Sequence, residues 1–206
     1  GPLKTGINVV DVVSVGAGGG SVAWLDERGV PRVGPRSAGS DPGPVCYGQG
    51  GQEPTVTDAM VTMGYIDPEN YLGGRFRLDV EGARSALEET LANPMDVPLQ
   101  EAAASVHDLV VTNMANALRR VSVERGHDPR DFTIMGYGGT LPMFVGQIAD
   151  ELDISHIVLP DNSSVFSAYG LLTADYVRQY NRTVEWRLDR EDEYQRVNEI
   201  AEEMLE

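Results

Sequence analysis

Cysteine is nearly absent: the lone Cys46 rules out an intramolecular disulfide framework and fits a reducing, cytoplasmic setting. Cations are scarce as well, with 16 Lys and Arg against 32 Asp and Glu and a formal net charge of −16. Phosphate backbones and anionic lipid surfaces are held by clustered Lys and Arg, so neither nucleic acid nor a membrane is expected as a partner. No apolar run approaches the ~20 residues that span a bilayer, and no charged-then-apolar signal segment opens the chain. His107, His127 and His156 lie too far apart to form a metal-spaced pair, which leaves any metal unknown.

What remains is the composition of a folded protein. Aliphatic and aromatic residues make up 41% of the 206 positions and charged residues 23%, enough for one core or for one lobe of a larger enzyme. The chain opens Gly1-Pro2-Leu3 without methionine, and the helical pattern at its end meets no Gly, Asn or Pro stop, so both ends read as cut. The stretch from Asp189 to Glu206 is strongly acidic and reads as a solvated helix face, with docking as the alternative.

Periodicity orders the rest. Val9 to Val15 reads as a buried strand running into the glycine loop Gly16 to Ser21, and Val22 to Leu25 with Val30 to Val33 form a hairpin around Asp26-Glu27-Arg28-Gly29. Gly34 to Asp58 is a long loop dense in Gly, Pro, Ser and Asp. Helices are predicted from Thr57 to Tyr65, Asp79 to Leu91 and Leu99 to Arg125, the last with Asn113 inside its apolar stripe and Gly126 as its stop. Phe132 to Met135 is a strand, Gly136 to Gly139 a tight loop, and Thr140 the predicted N-cap of a helix with Pro142 in its first turn. A strand at His156 to Leu159, a small-residue helix at Val165 to Leu172 and a strand at Tyr180 to Leu188 follow. This alternation implies an α/β lobe with parallel strands.

Two loops are candidates for chemistry. Gly136, Gly138, Gly139 and Thr140 join a strand to a helix, where backbone amides suit phosphate or the polar edge of a nucleotide; an ordinary strand-to-helix turn is the alternative. Gly18, Gly19, Gly20 and Ser21 fit neither the P-loop nor the dinucleotide pattern, and read either as a phosphate or substrate loop or as a tight backbone crossing. In the long loop, Asp58 is a candidate catalytic carboxylate whose plainer role is a helix cap. Cys46 there suits a buried apolar position better than a nucleophile.

Several segments carry a family resemblance: Val15 to Trp24, Val33 to Gly39 with Asp41-Pro42-Gly43-Pro44, Cys46-Tyr47-Gly48, Glu53 to Asp58, Arg119 to Gly126, Gly138-Gly139 and Phe166 to Leu172. Together they resemble the ATP-dependent hydantoinase/oxoprolinase family, which includes acetone and acetophenone carboxylase subunits. The resemblance implies the second lobe of an actin-like, ribonuclease H-like ATPase: an α/β fold with a mixed sheet and flanking helices, incomplete here, over residues 1–188. Residues 189–206 would begin a further, acidic helical region. It also implies ATP and Mg2+ as cofactors, an N-terminal lobe carrying the Asp-Gly-rich phosphate loops upstream, and a second large subunit of the hydantoinase B type as partner. Leu141 departs from the Gly-Gly-Ala-Gly-Pro of relatives and puts a side chain where bare backbone is expected.

The implied activity is opening of a cyclic amide after phosphorylation of its carbonyl oxygen, with the segment by itself inactive. The alternatives are a subunit of an ATP-dependent ketone carboxylase and a non-catalytic split scaffold.

Overall fold

The computed structural model describes residues 13–175, 183 and 192–204. Its contacts divide into two units: Val12–Gly170, and Gly1–Asp11 with Leu171–Glu206. The larger unit opens with the expected hairpin, strands β1 (Ser21–Leu25) and β2 (Pro31–Ser37), antiparallel with an irregularity between Ser21 and Ala23. Asp26 sets the turn. Its carboxyl accepts the Arg28 and Val30 amides and pairs with Arg32 at 2.9 Å, which holds it below the usual carboxylate range. Gly29 supplies the positive φ of 75° that the turn requires. The Trp24 indole donates to the Gly34 carbonyl at 2.8 Å and ties the middle of β2 to β1.

The long loop after β2 is anchored from the next helix. Helix α1 (Val56–Thr62) is buried along its whole length and starts in a reciprocal capping box between Thr55 and Asp58. Asp58 does more than cap. Its fully buried carboxyl oxygens accept the amides of Cys46 (2.7 Å), Val45 (3.2 Å) and Thr55 (2.7 Å) and the Thr55 hydroxyl (2.8 Å). A helix N-terminus and a loop ten residues upstream thus share one acceptor. Cys46 is completely buried beside it, and burial, aided by the charge of Asp58, raises the thiol well above its ordinary pKa.

Helix α2 (Val80–Leu87), capped by the Asp79 carboxyl on the Gly82 amide at 2.9 Å, runs through one wider turn over Glu88–Ala92 into the short α3 (Asn93–Met95). Helix α4 (Leu99–Ser122) is the spine. Ala102, Ala103, Val106, Val110, Val111 and Ala115 meet Val56, Met60, Leu87 and Leu91 in the main core. Asn113 is a correction to the sequence reading: although it lies seven residues beyond Val106 on the same side of the helix, it is exposed, and it borders a surface concavity with Asn116 and Arg120 instead of entering the core. A last turn over Val123–Arg125 ends at Gly126 (φ 80°), where the His127 amide caps the Ser122 carbonyl at 3.0 Å.

Strand β3 (Thr133–Met135), helix α5 (Val145–Glu151) and strand β4 (His156–Val158) form a β-α-β crossover with β3 and β4 parallel. Phe144 and Ile148 anchor it to the core with no exposed surface. Among the described residues the strands form two separate pairs, one antiparallel and one parallel, where one mixed sheet was expected. Helix α6 (Phe166–Thr173) spans the boundary between the units, and α7 (Asp192–Glu203) lies in the acidic stretch. The expected strand Val9 to Val15 falls partly outside the described residues, and Val13, Ser14 and Val15 form no ladder. The expected strand Tyr180 to Leu188 lies, apart from Thr183, outside them.

Two outcomes follow. Asp58→Ala strands three buried donors and the half-buried Val45 amide, and should lower the unfolding free energy by about 3 kcal/mol or more. Asp58→Asn should cost less, because one amide oxygen still accepts. Urea unfolding measures both, and an Ala variant as stable as the parent refutes the clasp. Cys46 should resist a thiol reagent such as Ellman's at pH 8 until denaturant is added, since both access and thiolate are lacking; rapid labelling of the native protein contradicts its burial.

Candidate functional site

The two glycine loops predicted separately abut one another. A Cβ built on Gly19 would lie 2.8 Å from the Thr57 hydroxyl and 3.0 Å from the Thr140 hydroxyl, so only glycine fits between them. Thr57 holds the loop in place, since both its amide and its hydroxyl donate to the Gly19 carbonyl at 2.9 Å. One of the orphan amides at the start of α1 is satisfied in this way. At the other end of the loop, Ser21 is buried and its hydroxyl accepts the Gly18 amide at 3.0 Å. That bond braces the loop from within.

The second loop is built from glycines with different duties. Gly136 is buried, gives its amide to the Val158 carbonyl at 2.9 Å, and has Leu159 and Val145 within 3.2 Å of where a Cβ would sit. It is a packing glycine. Gly138 has φ 97° and is clamped by Ser163, whose carbonyl accepts its amide at 2.8 Å and whose hydroxyl donates to its carbonyl at 3.0 Å. Gly139 is exposed, with nothing within 4 Å of its added Cβ. Among the described residues, the amides of Gly19, Gly20, Gly139 and Thr140 donate to no protein acceptor. Unpaired amides on two adjoining loops are the donor set that binds anionic oxygens.

Thr140 corrects the sequence reading in its detail. It precedes a single tight turn, Leu141–Met143, makes no side-chain cap, and α5 proper begins only at Val145. Pro142, Met143 and Phe144 delay the helix because Phe144 must first reach the core. The Thr140 hydroxyl is therefore free of the capping bond and sits instead beside Gly19. Leu141 packs against the main core cluster, so its side chain does not fill the space over Gly139.

The structure thus brings Gly19 and Thr140 together, with Gly18, Gly20 and Ser21 in the same loop and Gly138 and Gly139 beside Thr140. Asp58 is one residue from Thr57, but its oxygens are engaged by four donors of its own chain. Sequence reasoning passed over Ser163, which lies 25 residues from the glycine it clamps and has no local signature. Thr57 entered it as the start of a predicted helix, and its grip on Gly19, 38 residues earlier, has no local signature either. Among the described residues no three His, Cys, Asp or Glu side chains gather as a metal site, and no helix is long and apolar enough to cross a membrane.

Comparison with known proteins finds relatives in sequence and in fold. The chain is 40% identical to the caprolactamase subunit alpha of Pseudomonas jessenii over 206 residues, 98% of this chain and 29% of that protein. Its fold superposes on the crystal structure of the ATP-dependent caprolactamase from Pseudomonas jessenii with a TM-score of 0.70 and 38% identity, over 91% of this chain and 28% of that one. It also superposes on the nucleotide-free structure of acetone carboxylase, described as acting in ATP-dependent acetone carboxylation, with a TM-score of 0.73 and 31% identity, over 78% and 23%. The chain therefore spans less than a third of the length of these relatives. The α/β architecture with small sheets accords with part of an actin-like ATPase fold. Residues 1–180 match the hydantoinase/oxoprolinase family, and this chain belongs to that family.

Proposed function

We propose that this chain supplies the glycine-loop half of a nucleotide site in an ATP-dependent enzyme that opens a cyclic amide. The observation that carries this reading is the contact of the Gly18 to Ser21 loop with Thr140, with four amides of the two loops unpaired. In the reaction, the γ-phosphoryl of ATP passes to the amide carbonyl oxygen and ADP leaves. Water then attacks the carbonyl carbon, the C–N bond breaks with the nitrogen taking up a proton, and a second water hydrolyses the resulting acyl phosphate to a carboxylate and inorganic phosphate. Amide resonance makes the unactivated carbonyl a poor electrophile, and phosphorylation of its oxygen removes that resonance.

This chain's own part is positioning and charge stabilisation. The amides of Gly19, Gly20, Gly139 and Thr140 hold phosphate oxygens, while the Thr140 hydroxyl donates or accepts beside them. Mg2+, which the family reading implies, would supply positive charge to the phosphate oxygens, and the amides assigned here, being donors, would not hold it. The attacking water, its general base and the ring substrate are assigned to the rest of the enzyme, including a second large subunit. Residues 1–188 are the part we assign to the lobe. A ketone carboxylase is the second reading, favoured by the superposition on acetone carboxylase.

The test uses the complete enzyme containing this chain. ATP-dependent ring opening of 5-oxoproline or a hydantoin, followed by ADP release, supports the amidohydrolase; bicarbonate-dependent consumption of a ketone without ring opening overturns it. Gly139→Val is the diagnostic variant, because the space around Gly139 accepts a side chain without a clash in the fold. It should leave the melting temperature unchanged and raise KM for ATP at least about tenfold, by blocking approach to the amides. A Gly139→Val enzyme with native affinity for ATP refutes the site.

A further inference from the structure

The Gly16 end of the first glycine loop borders a different concavity. It has a volume of about 350 Å3 and is lined by Gly16, Val33 and Pro35 on one side and Asn113, Asn116 and Arg120 of α4 on the other. Spaced i, i+3 and i+7, these three polar residues share one face of the helix.

The hydrogen bonds around this pocket give it a sign. Arg119 is engaged elsewhere: one guanidinium nitrogen donates to the carbonyl and carboxylate of Glu151, and the other donates to the Asn116 amide oxygen at 3.1 Å. With that oxygen occupied, the free end of the Asn116 amide is its NH2, a donor. Arg120 has no ion pair among the described residues, although the chain carries 32 acidic residues. Among the described residues no carboxylate lines the pocket. Its polar side therefore offers a forked cation and an amide donor, and Asn113 adds a second amide. Its other side offers the apolar surfaces of Val33 and Pro35.

A ligand that satisfies both sides has an acceptor-only head with two oxygens and a short aliphatic body. We propose that this pocket binds a small aliphatic monocarboxylate, held at its oxygens by Arg120 and Asn116 and along its alkyl chain by Val33 and Pro35. A planar carboxylate matches the guanidinium fork in a way that a spherical halide does not. The site is separate from the four unpaired amides of the nucleotide reading and stands without that reading. The two are nonetheless joined by one loop, with Gly16 at the carboxylate pocket and Gly19 against Thr140.

The test is titration of the chain with sodium butyrate, read by two-dimensional NMR at the Asn116 side-chain amide and the Arg120 Nε–H. Saturable shifts are expected with butyrate, and at least tenfold weaker binding with the neutral isostere butyramide. Arg120→Gln should weaken butyrate binding by a similar factor with the melting temperature unchanged. Asn116→Asp, which keeps size and the contact with Arg119 but replaces donors by acceptors, should abolish it. Absence of a saturable shift, an equal response to butyramide, or native affinity in either folded variant overturns the proposal.

Discussion

The order of this structure depends on a single buried carboxyl. Asp58 accepts donors from residues 45, 46 and 55 and thereby fixes the end of a loop poor in apolar anchors to the first turn of α1. The position of that turn sets the position of Thr57, and Thr57 grips the Gly19 carbonyl with both amide and hydroxyl. Gly19 in turn is the residue that allows Thr140 to approach. The glycine loop has almost no side chains with which to hold itself, so its placement is inherited from a helix 38 residues later in the chain. A catalytic duty for Asp58 would compete with this one, because its buried carboxyl already anchors four donors of its own chain.

The β3 and β4 pair shows a second constraint. Parallel strands are stable when both faces are covered, yet Met135, Ile157, Val158 and Leu159 are all more than 40% exposed, and Phe132, Tyr137, Val165 and Tyr169 nearby are exposed as well. A pair of three-residue strands with so much bare apolar surface is weakly held by itself. Phe144 and Ile148 do the holding from beneath, through α5. This is consistent with a chain that accounts for 29% of the caprolactamase subunit it resembles.

Much of the element order was legible in the sequence because its signals are local. The hairpin follows from Asp26 and Gly29, the start of α2 from Asp79, the end of α4 from Gly126, and the β-α-β unit from alternating apolar runs broken at Gly136 and Gly138. Where the reading missed, the deciding contact was distant. Periodicity put Asn113 in the stripe of α4, but whether a position on the buried side is covered depends on what packs against it along the helix, and at Asn113 the surface stays open. The Thr140 cap failed for a similar reason: Pro142 fits a first turn, and only the demand of Phe144 for the core shows that the helix starts later.

The glycines carry the sharpest form of this lesson. Gly136 and Gly139 lie three residues apart in one motif and look interchangeable in sequence, yet the first is walled in by Leu159 and Val145 and the second faces open space. One permits packing and the other permits approach of a ligand. The same distinction runs through the first loop, where Gly20 has the Ser37 hydroxyl 3.0 Å from its added Cβ while Gly18 has nothing within 4 Å. A glycine-rich motif therefore does not mark a binding surface uniformly. Because Gly16 to Gly20 form one short segment braced at Ser21 and Thr57, a shift that opens room at one end must be absorbed by the few unbraced residues between. Two ligands bound at the two ends of such a loop act on the same backbone torsions, and energetic coupling between them needs no contact beyond that loop.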